Sequence, residues 1–169
     1  GEESMRKIRS RFISKELAVY ELKFKRGTDD AKLEKTASRY AFIRNLMETH
    51  EALFSYVFPR HWCVQQELCV EFCVKTHREL SYQLQESSGN IDVAVLVFIL
   101  QKTIEVEKDL TARNRWDAGE NMHNGQELPP YRYGGMILCC FESHMGLYVR
   151  EEDRAMEESI AEQTATDRY

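Results

Sequence analysis

The strongest constraint on the fold is a seven-residue repeat of mostly apolar side chains between residues 33 and 57. Its positions are separated by alternating steps of three and four residues: Leu33, Thr36, Tyr40, Ile43, Met47, His50, Phe54 and Val57. This spacing aligns the side chains along one seam of a helix and predicts lengthwise packing against a neighbouring helix. Phe42, Leu46 and Leu53 make the apolar stripe wider than that of a two-stranded coiled coil. The repeat therefore predicts a helical bundle.

Four more segments have helical spacing, and the 8 Gly and 3 Pro of the 169 residues are few for a β protein. We predict helices over residues 3–25, 61–85, 91–113 and 135–163, with Pro59 ending the seam helix. Asn90 is the expected N-cap of the fourth helix. The apolar run 93–100 within it predicts a helix at the centre of the bundle, with a buried strand as the alternative. The predicted fold class is all-α, an antiparallel bundle of about five helices.

The stretch at about 117–132 lacks periodicity and contains two of the three prolines, which predicts a mobile loop. Apart from this loop, no segment is long enough to act as a linker between domains. Residues 1–169 are therefore interpreted as a single helical-bundle domain. Because position 1 is Gly rather than Met, we expect this bundle to be a fragment of a longer chain.

Charge is unevenly distributed along a chain whose net charge is -5. The first helix carries the basic residues Arg6, Lys7, Arg9 and Arg11, interleaved with apolar positions at helical spacing. This pattern is typical of the solvated face of an amphipathic helix. The alternative is a module that binds anionic lipid or nucleic acid through this helix.

Five cysteines are present: Cys63, Cys69, Cys73, Cys139 and Cys140. Their odd number and mostly apolar neighbours indicate reduced thiols packed in a core, the adjacent pair 139–140 included. Cys69, Cys73 and His77 share one helical face, and Cys140 and His144 form a second i, i+4 pair. Two such pairs supply the ligand types of a zinc site, but no Cys-x-x-Cys occurs. We interpret these residues as packing, and a helical zinc protein is the alternative.

Catalytic groups are not indicated by the sequence. Cys73 and His77 are a Cys-His pair in mid-helix, where backbone N–H groups are already bonded and cannot stabilise an oxyanion. Glu105, Glu107 and Asp109 alternate along a helix, which predicts a solvated rim rather than a carboxylate pair. His50 lies on the seam and is interpreted as a hydrogen-bonded core histidine. We predict no enzyme, no catalytic or cofactor-binding residue, no metal and no cofactor.

Four ordered blocks of sequence resemble one known family. They are Ser38 to Arg44; Phe58-Pro59 and Trp62 with Val70 to Cys73, Thr76, Glu79 and Leu80; Leu96 to Phe98 with Gln101 to Thr103 and Glu107; and Cys140 to His144 with Leu147 to Val149 and Asp153. These blocks are similar to the Arg-Tyr-Ala-Trp, Val-Glu-Phe-Cys, Gln-Arg-Thr-Thr and Cys-Phe-Glu-Pro-His motifs of the VPS fifty-three (vacuolar protein sorting) family. Ser143 stands where that family typically has Pro.

The resemblance implies an interior fragment of a subunit of the Golgi-associated retrograde protein (GARP) or endosome-associated recycling protein (EARP) complex. It implies a segment of an elongated helical rod in a multisubunit vesicle-tethering complex, acting as a non-catalytic scaffold in endosome-to-trans-Golgi retrograde transport. The implied partners are the other subunits, with SNAREs and small GTPases bound through the full-length complex. The implied location is the cytosolic face of the trans-Golgi network and endosomes, with peripheral membrane association only through the complex and no binding of nucleic acid.

Overall fold

The computed structural model describes residues 1–53, 55–87 and 89–166. Within them the chain forms five α-helices: α1 (Glu2–Lys23), α2 (Thr36–Leu53), α3 (Val64–Glu86), α4 (Val93–Arg113) and α5 (Glu142–Thr166). Short 3₁₀ segments lie at Asp29–Ala31, Leu33–Lys35, Arg60–Trp62 and Leu138–Phe141. The strands β1 (Met122–His123) and β2 (Gln126–Glu127) form one small antiparallel hairpin. The predicted all-α class and number of helices are confirmed.

Side-chain pairs between helices show that the first two helices run in opposite directions. The ring of Phe12, in the middle of α1, lies 5.2 Å from that of His50, near the end of α2. Tyr20, further along α1, accepts a hydrogen bond from Arg39, near the start of α2. The later residue of α1 thus contacts the earlier residue of α2, so the two helices are antiparallel.

Alternate helices of the bundle are parallel to each other. Tyr40 of α2 bonds to Thr103 of α4, and Arg44, one turn later, bonds to Asp109. Residue numbers therefore increase in the same direction along both helices.

Helix α1 is likewise parallel to α3, since Arg9 of α1 bonds to Trp62, just before α3, and Glu21 of α1 pairs with Lys75 of α3. Helix α2 contacts both α3 and α4. This up-down arrangement is the one expected when short connections join consecutive helices.

The predicted seam is buried over most of its length. Its buried positions are Leu33, Thr36, Tyr40, Ile43, Met47 and His50. The α-helix begins only at Thr36, whose hydroxyl donates to the carbonyl of Leu33 in the preceding 3₁₀ turn. Phe54 lies outside the described residues, and Val57 is 63% exposed, so its assignment to the seam is wrong. Val57 follows the end of α2, where the helical repeat no longer sets the direction of a side chain.

Helix α4 is not central, although its first half is apolar all round. Leu96 and Ile99 are buried, whereas Val97 and Phe98 are 46% and 44% exposed. Only one side of α4 packs on the bundle, because no further helix covers the other side within the described residues. The N-cap is Asp92, which accepts from the amide of Ala94 at 2.9 Å, and not the predicted Asn90.

The β hairpin lies inside the predicted loop at 117–132. Its turn residues Asn124 and Gly125 both have positive φ values, 51° and 76°. This is the backbone of a two-residue hairpin turn, for which Asn-Gly is a strong sequence signal. Trp116 Nε1 donates to the carbonyl of Pro129 at 3.0 Å and joins the two ends of the segment. The mobility of the loop stays a prediction.

None of the five helices, as far as the structure describes them, contains a stretch long and apolar enough to cross a membrane.

Candidate functional site

Cys69 and Cys73 lie on the buried face of α3, as their apolar neighbours predicted. The sulfur of Cys69 lies 3.6 Å from Met47 Sδ and 3.5 Å from Asn114 Nδ2. Burial raises the pKa of the Cys69 thiol to about 12 and also raises the pKa of Cys73. Metal ligation and nucleophilic attack both require a thiolate. These two side chains are therefore protonated packing groups at neutral pH.

His77, one turn after Cys73 on α3, contacts Cys139, whereas the sequence pattern paired it with Cys73. Its Nδ1 lies 3.4 Å from the sulfur of Cys139, and this contact is exposed. Cys139 is the exposed member of the five cysteines, which are all free thiols. Its interpretation as a packed residue is therefore wrong: it lies in the 3₁₀ segment Leu138–Phe141, and this turn directs Cys140 inward and Cys139 outward.

The second pair, Cys140 and His144, forms no metal-holding group with the first among the described residues. Cys140 is buried, and burial raises the pKa of its thiol to about 12. Over residues 1–53, 55–87 and 89–166, no group of three or more His, Cys, Asp or Glu side chains is arranged to hold a metal ion. The geometry needed for the zinc alternative is thus not formed in this part of the chain.

Glu107 is a buried polar residue, although its sequence pattern predicted an exposed one. It is only 3% exposed, so the predicted solvated rim is wrong for this position. Its carboxylate accepts from the backbone amides of Gly135 (3.1 Å), Ile137 (2.8 Å) and Leu138 (3.1 Å). These amides precede or open the 3₁₀ segment Leu138–Phe141, where N–H groups lack partners within the helix. A carboxylate bonded to several amides fixes the 134–138 turn against α4.

Glu105 and Asp109, the neighbours of Glu107 on α4, are more accessible. Glu105 is exposed and bonds to Lys102, as the predicted rim requires. Asp109 is half-buried and joins α4 to α2 through Arg44 at 3.1 Å. Glu107 thus points to a different face of α4 from Glu105, as the alternation predicted, but Asp109 lies four residues after Glu105 and shares its face. The face that carries Glu107 is buried rather than solvated.

Two tyrosine–threonine pairs form polar bridges across the core. Tyr20 and Thr76 join α1 to α3 with hydroxyls 2.6 Å apart, and Tyr40 and Thr103 join α2 to α4 at the same distance. Thr103 donates its proton to the carbonyl of Ile99 at 2.8 Å, so Tyr40 is the donor in its pair. Burial raises the pKa of both tyrosines. The hydroxyls therefore stay protonated and set the register between helices.

His50 lies in the core, where the seam placed it. Burial lowers the pKa of its imidazole to about 4, so the ring is neutral at physiological pH. The rings of His50 and its neighbour Phe12 form a T-shaped contact, with an angle of 77° between their planes.

The basic residues of α1 lie mostly in solvent, as predicted for the outer face of an amphipathic helix. Arg6, Lys7 and Arg11 are exposed, and Lys7 pairs with Glu3 at 3.7 Å. Arg9 is half-buried, and its Nη1 donates to the carbonyl of Trp62 at 2.8 Å. One of the four cations therefore fixes α1 to the turn before α3, and binding of lipid through this helix stays an alternative prediction.

Comparison with known proteins gives a consistent family. The family model described as "Vps53, N-terminal" matches residues 2–168. Vacuolar protein sorting-associated protein 53 A of Arabidopsis thaliana is 38% identical over 88% of this chain and 24% of its own length. The related protein 53 B of the same plant is 26% identical over 90% of this chain and 28% of its own length.

A Caenorhabditis elegans homologue of vacuolar protein sorting-associated protein 53 is 31% identical over 60% of this chain and 13% of its own length. No solved structure matches this chain. The chain spans about a quarter of the length of the two plant relatives. The family model describes an N-terminal region, whereas the resemblance indicated an interior fragment. Because that model covers nearly every residue, the chain belongs to the Vps53 family of vacuolar protein sorting proteins.

Proposed function

We propose that this chain is a non-catalytic scaffold segment of a subunit of a vesicle-tethering complex. The observation that carries the proposal is the match of the Vps53 N-terminal model to residues 2–168. The relatives, whose printed names refer to vacuolar protein sorting, support a role in traffic between membranes. The finer assignment is the GARP or EARP complex, with endosome-to-trans-Golgi retrograde transport as the process.

The way in which the polar residues are used supports a scaffold. Glu107 binds backbone amides, and the Tyr20–Thr76 and Tyr40–Thr103 pairs join helices. Each of these polar groups is engaged in holding elements together. Such a use of buried polar groups specifies one rigid arrangement of helices, which is what a structural subunit requires.

We further propose that residues 1–169 are a single helical bundle within an elongated rod, and that other subunits of the complex are its direct partners. SNAREs and small GTPases are then bound by the full-length complex. The outer face of α4 gives this proposal a surface, because Val97 and Phe98 are exposed there beside the exposed Val93 and Ile104. Apolar side chains grouped in this way are typical of protein contact sites. The proposed location is the cytosolic face of the trans-Golgi network and endosomes.

The test is a replacement experiment in cells depleted of the endogenous protein. The full-length protein, and a version in which residues 1–169 are deleted, are each affinity-purified, and the recovery of other tethering subunits is measured. Return of an endosomal cargo receptor to the Golgi is measured in the same cells. We expect the deletion to reduce both subunit recovery and receptor return.

A surface variant with its own control makes the experiment independent of a large deletion. Phe98→Glu changes the outer face of α4, whereas Val19→Glu changes an exposed apolar residue of α1. We expect Phe98→Glu to weaken subunit recovery more than Val19→Glu does, with the same melting temperature for both. Normal subunit recovery and normal receptor return with the deletion overturn the proposed function.

A further inference from the structure

A cavity of about 360 Å³ opens between α1, α2 and α3, at the C-terminal end of α1. Its walls include the aromatic rings of Tyr20 and Phe24, and Arg39 forms part of the lining. Basic side chains dominate the rest of the lining, which contains Lys25, Arg26, Lys75 and Arg78 together with Glu21 and Glu79. The cavity thus combines an apolar wall with a basic rim.

Arg39 is an unusual residue for the core of a bundle, because its side chain is charged and only 1% exposed. Its Nη1 donates to the hydroxyl of Tyr20 at 3.0 Å. Among the described residues, its Nε and Nη2 have no hydrogen-bond partner. The guanidinium lies 4.9 Å from the ring of Phe24, a cation–π distance that offsets part of the cost of burial. Buried donors without an acceptor are costly and therefore point to a missing partner.

The two unpaired donors lie on the same edge of the guanidinium. The neighbouring Arg26 uses this same edge to bind a carboxylate: its Nε and Nη2 donate to the two carboxylate oxygens of Glu79 at 2.9 and 3.1 Å. Such a fork matches two oxygens of a carboxylate or a phosphate. Arg39 therefore presents a second fork whose acceptor is not provided by the described part of the chain.

The charge of the lining indicates which oxyanion fits. Two of its five cations are paired, Arg26 with Glu79 and Lys75 with Glu21. Lys25 and Arg78 form no ion pair within residues 1–53, 55–87 and 89–166, and with Arg39 they leave a net charge of about +3 on the lining. A phosphate monoester carries about −1.5 to −2 at neutral pH, whereas a carboxylate carries a single charge. The phosphate monoester is the better match.

We propose that this cavity binds a phosphate monoester group. The Nε–Nη2 edge of Arg39 holds two phosphate oxygens, and Lys25 and Arg78 neutralise the remaining charge from the rim. The rings of Tyr20 and Phe24 contact the part of the ligand that carries the phosphate. Because Arg39 is covered, the exposed side chains at the mouth of the cavity move aside when the group binds. The phosphate is either that of a soluble ester or that of a lipid headgroup, and both have the same recognition chemistry.

The first arm of the test uses a soluble ester with the full 169-residue chain. Glycerol phosphate is titrated at pH 7.5 against sodium chloride of equal ionic strength, and the ¹H–¹⁵N signal of Arg39 Nε is followed. This signal is assigned by its absence from Arg39→Lys. The rim variant Lys25→Ala/Arg78→Ala is compared with Arg11→Ala/Lys108→Ala, which removes two exposed cations outside the cavity lining.

The second arm uses vesicles of phosphatidylcholine that contain either phosphatidic acid, a phosphate monoester, or phosphatidylserine, a diester. The two are compared at equal surface charge by co-sedimentation. This arm separates recognition of a monoester headgroup from general attraction to a negative surface. General attraction is weakened by salt and does not depend on the chemistry of the headgroup.

Saturable binding of glycerol phosphate that shifts the Arg39 Nε signal supports the proposal with a soluble source. Preferential binding to phosphatidic acid vesicles without a response to glycerol phosphate supports it with a lipid source. In either case the rim variant weakens binding about tenfold and the control variant by less than about twofold. The proposal is overturned if neither probe binds, or if the rim and control variants weaken binding equally while both remain folded.

Discussion

A buried charged side chain in this bundle is stabilised by the particular groups that it contacts. The carboxylate of Glu107 accepts hydrogen bonds from the backbone amides of Gly135, Ile137 and Leu138 in place of bonds from water. The cost of burying a carboxylate is large unless such bonds offset it. The residue therefore acts as a fixed anion for a turn that is distant in sequence.

Glu107→Gln removes this charge and turns one acceptor oxygen into an NH₂ donor beside backbone N–H groups. We expect the free energy of unfolding to fall by about 2–3 kcal/mol, since hydrogen bonds to a charged group contribute about 1.5–3 kcal/mol each in such comparisons. Urea denaturation measures the loss. Hydrogen exchange at the amides of Ile137 and Leu138 is expected to accelerate.

Glu105→Gln is the matched control for Glu107→Gln. Glu105 lies two residues away on α4, and its ion pair with Lys102 is exposed. Exposed pairs contribute about 0.2–1 kcal/mol. Equal destabilisation by the two variants contradicts the assigned role of Glu107.

His50 makes the stability of the bundle depend on pH. Burial lowers the pKa of its imidazole from 6.5 to about 4. Below pH 6.5 the unfolded chain binds a proton that the folded chain does not bind until about pH 4, so stability falls as the pH falls through this window. The loss from this group is about 2 kcal/mol by pH 5 and about 3 kcal/mol over the whole window, since one pKa unit corresponds to about 1.4 kcal/mol.

Chemical denaturation of the native chain and of His50→Gln at pH 7 and pH 5 measures this effect. His50→Gln is expected to show a smaller loss of stability between the two pH values than the native chain. An unchanged pH dependence in His50→Gln rules out His50 as the cause.

Each helix has bounds that depend on local chemistry at its ends as well as on its apolar stripe. Helix α4 begins after Asp92, because this side chain accepts from the amide of Ala94. Helix α3 follows Cys63, whose φ of 51° turns the chain out of the preceding 3₁₀ segment. Neither signal is part of the apolar repeat, which explains why α3 begins at 64 rather than the predicted 61, and α4 at 93 rather than 91. The predicted start of α5 at 135 is wrong by seven residues, because the segment Leu138–Phe141 before it is a 3₁₀ helix.

Asp92→Ala tests the N-cap of α4. We expect a loss of about 1 kcal/mol in the free energy of unfolding, since loss of an N-cap side chain costs about 0.5–2 kcal/mol. Thermal unfolding followed by circular dichroism measures it. Asn90→Ala, two residues earlier, is the control, and it is expected to be close to neutral. A larger effect at Asn90 than at Asp92 shows that the cap is assigned to the wrong residue.

At the scale of the whole molecule, the packing leaves one cysteine exposed and buries the other four. Cys63, Cys69, Cys73 and Cys140 are buried, and Cys139 is exposed next to His77. In the native chain we expect one thiol to react rapidly with Ellman's reagent and the remaining four only on unfolding. Cys139→Ser is expected to remove the rapid phase, whereas Cys73→Ser leaves it. A rapid phase of two or more thiols contradicts the packing described.

Much of this architecture was predictable from the chain alone, but the functional side chains were less so. The seam of α2 identified the buried face of that helix, since helical spacing alone determines which side chains share a face. The hairpin had a local signal in Asn124-Gly125, which the lack of periodicity around it concealed. No local signal distinguishes Glu107 from Glu105, because its partners are about thirty residues away.

The sequence by itself determined the helical class, the number of helices, most of the core faces and the family, since all of these depend on spacing and on the order of residues along the chain. Only the tertiary structure decided which face of α4 is exposed, that Cys139 rather than Cys73 contacts His77, and that Glu107 and Arg39 are buried. These outcomes depend on which elements meet in space. A buried charge is recognised only once its partner, or the cavity that lacks one, has been located.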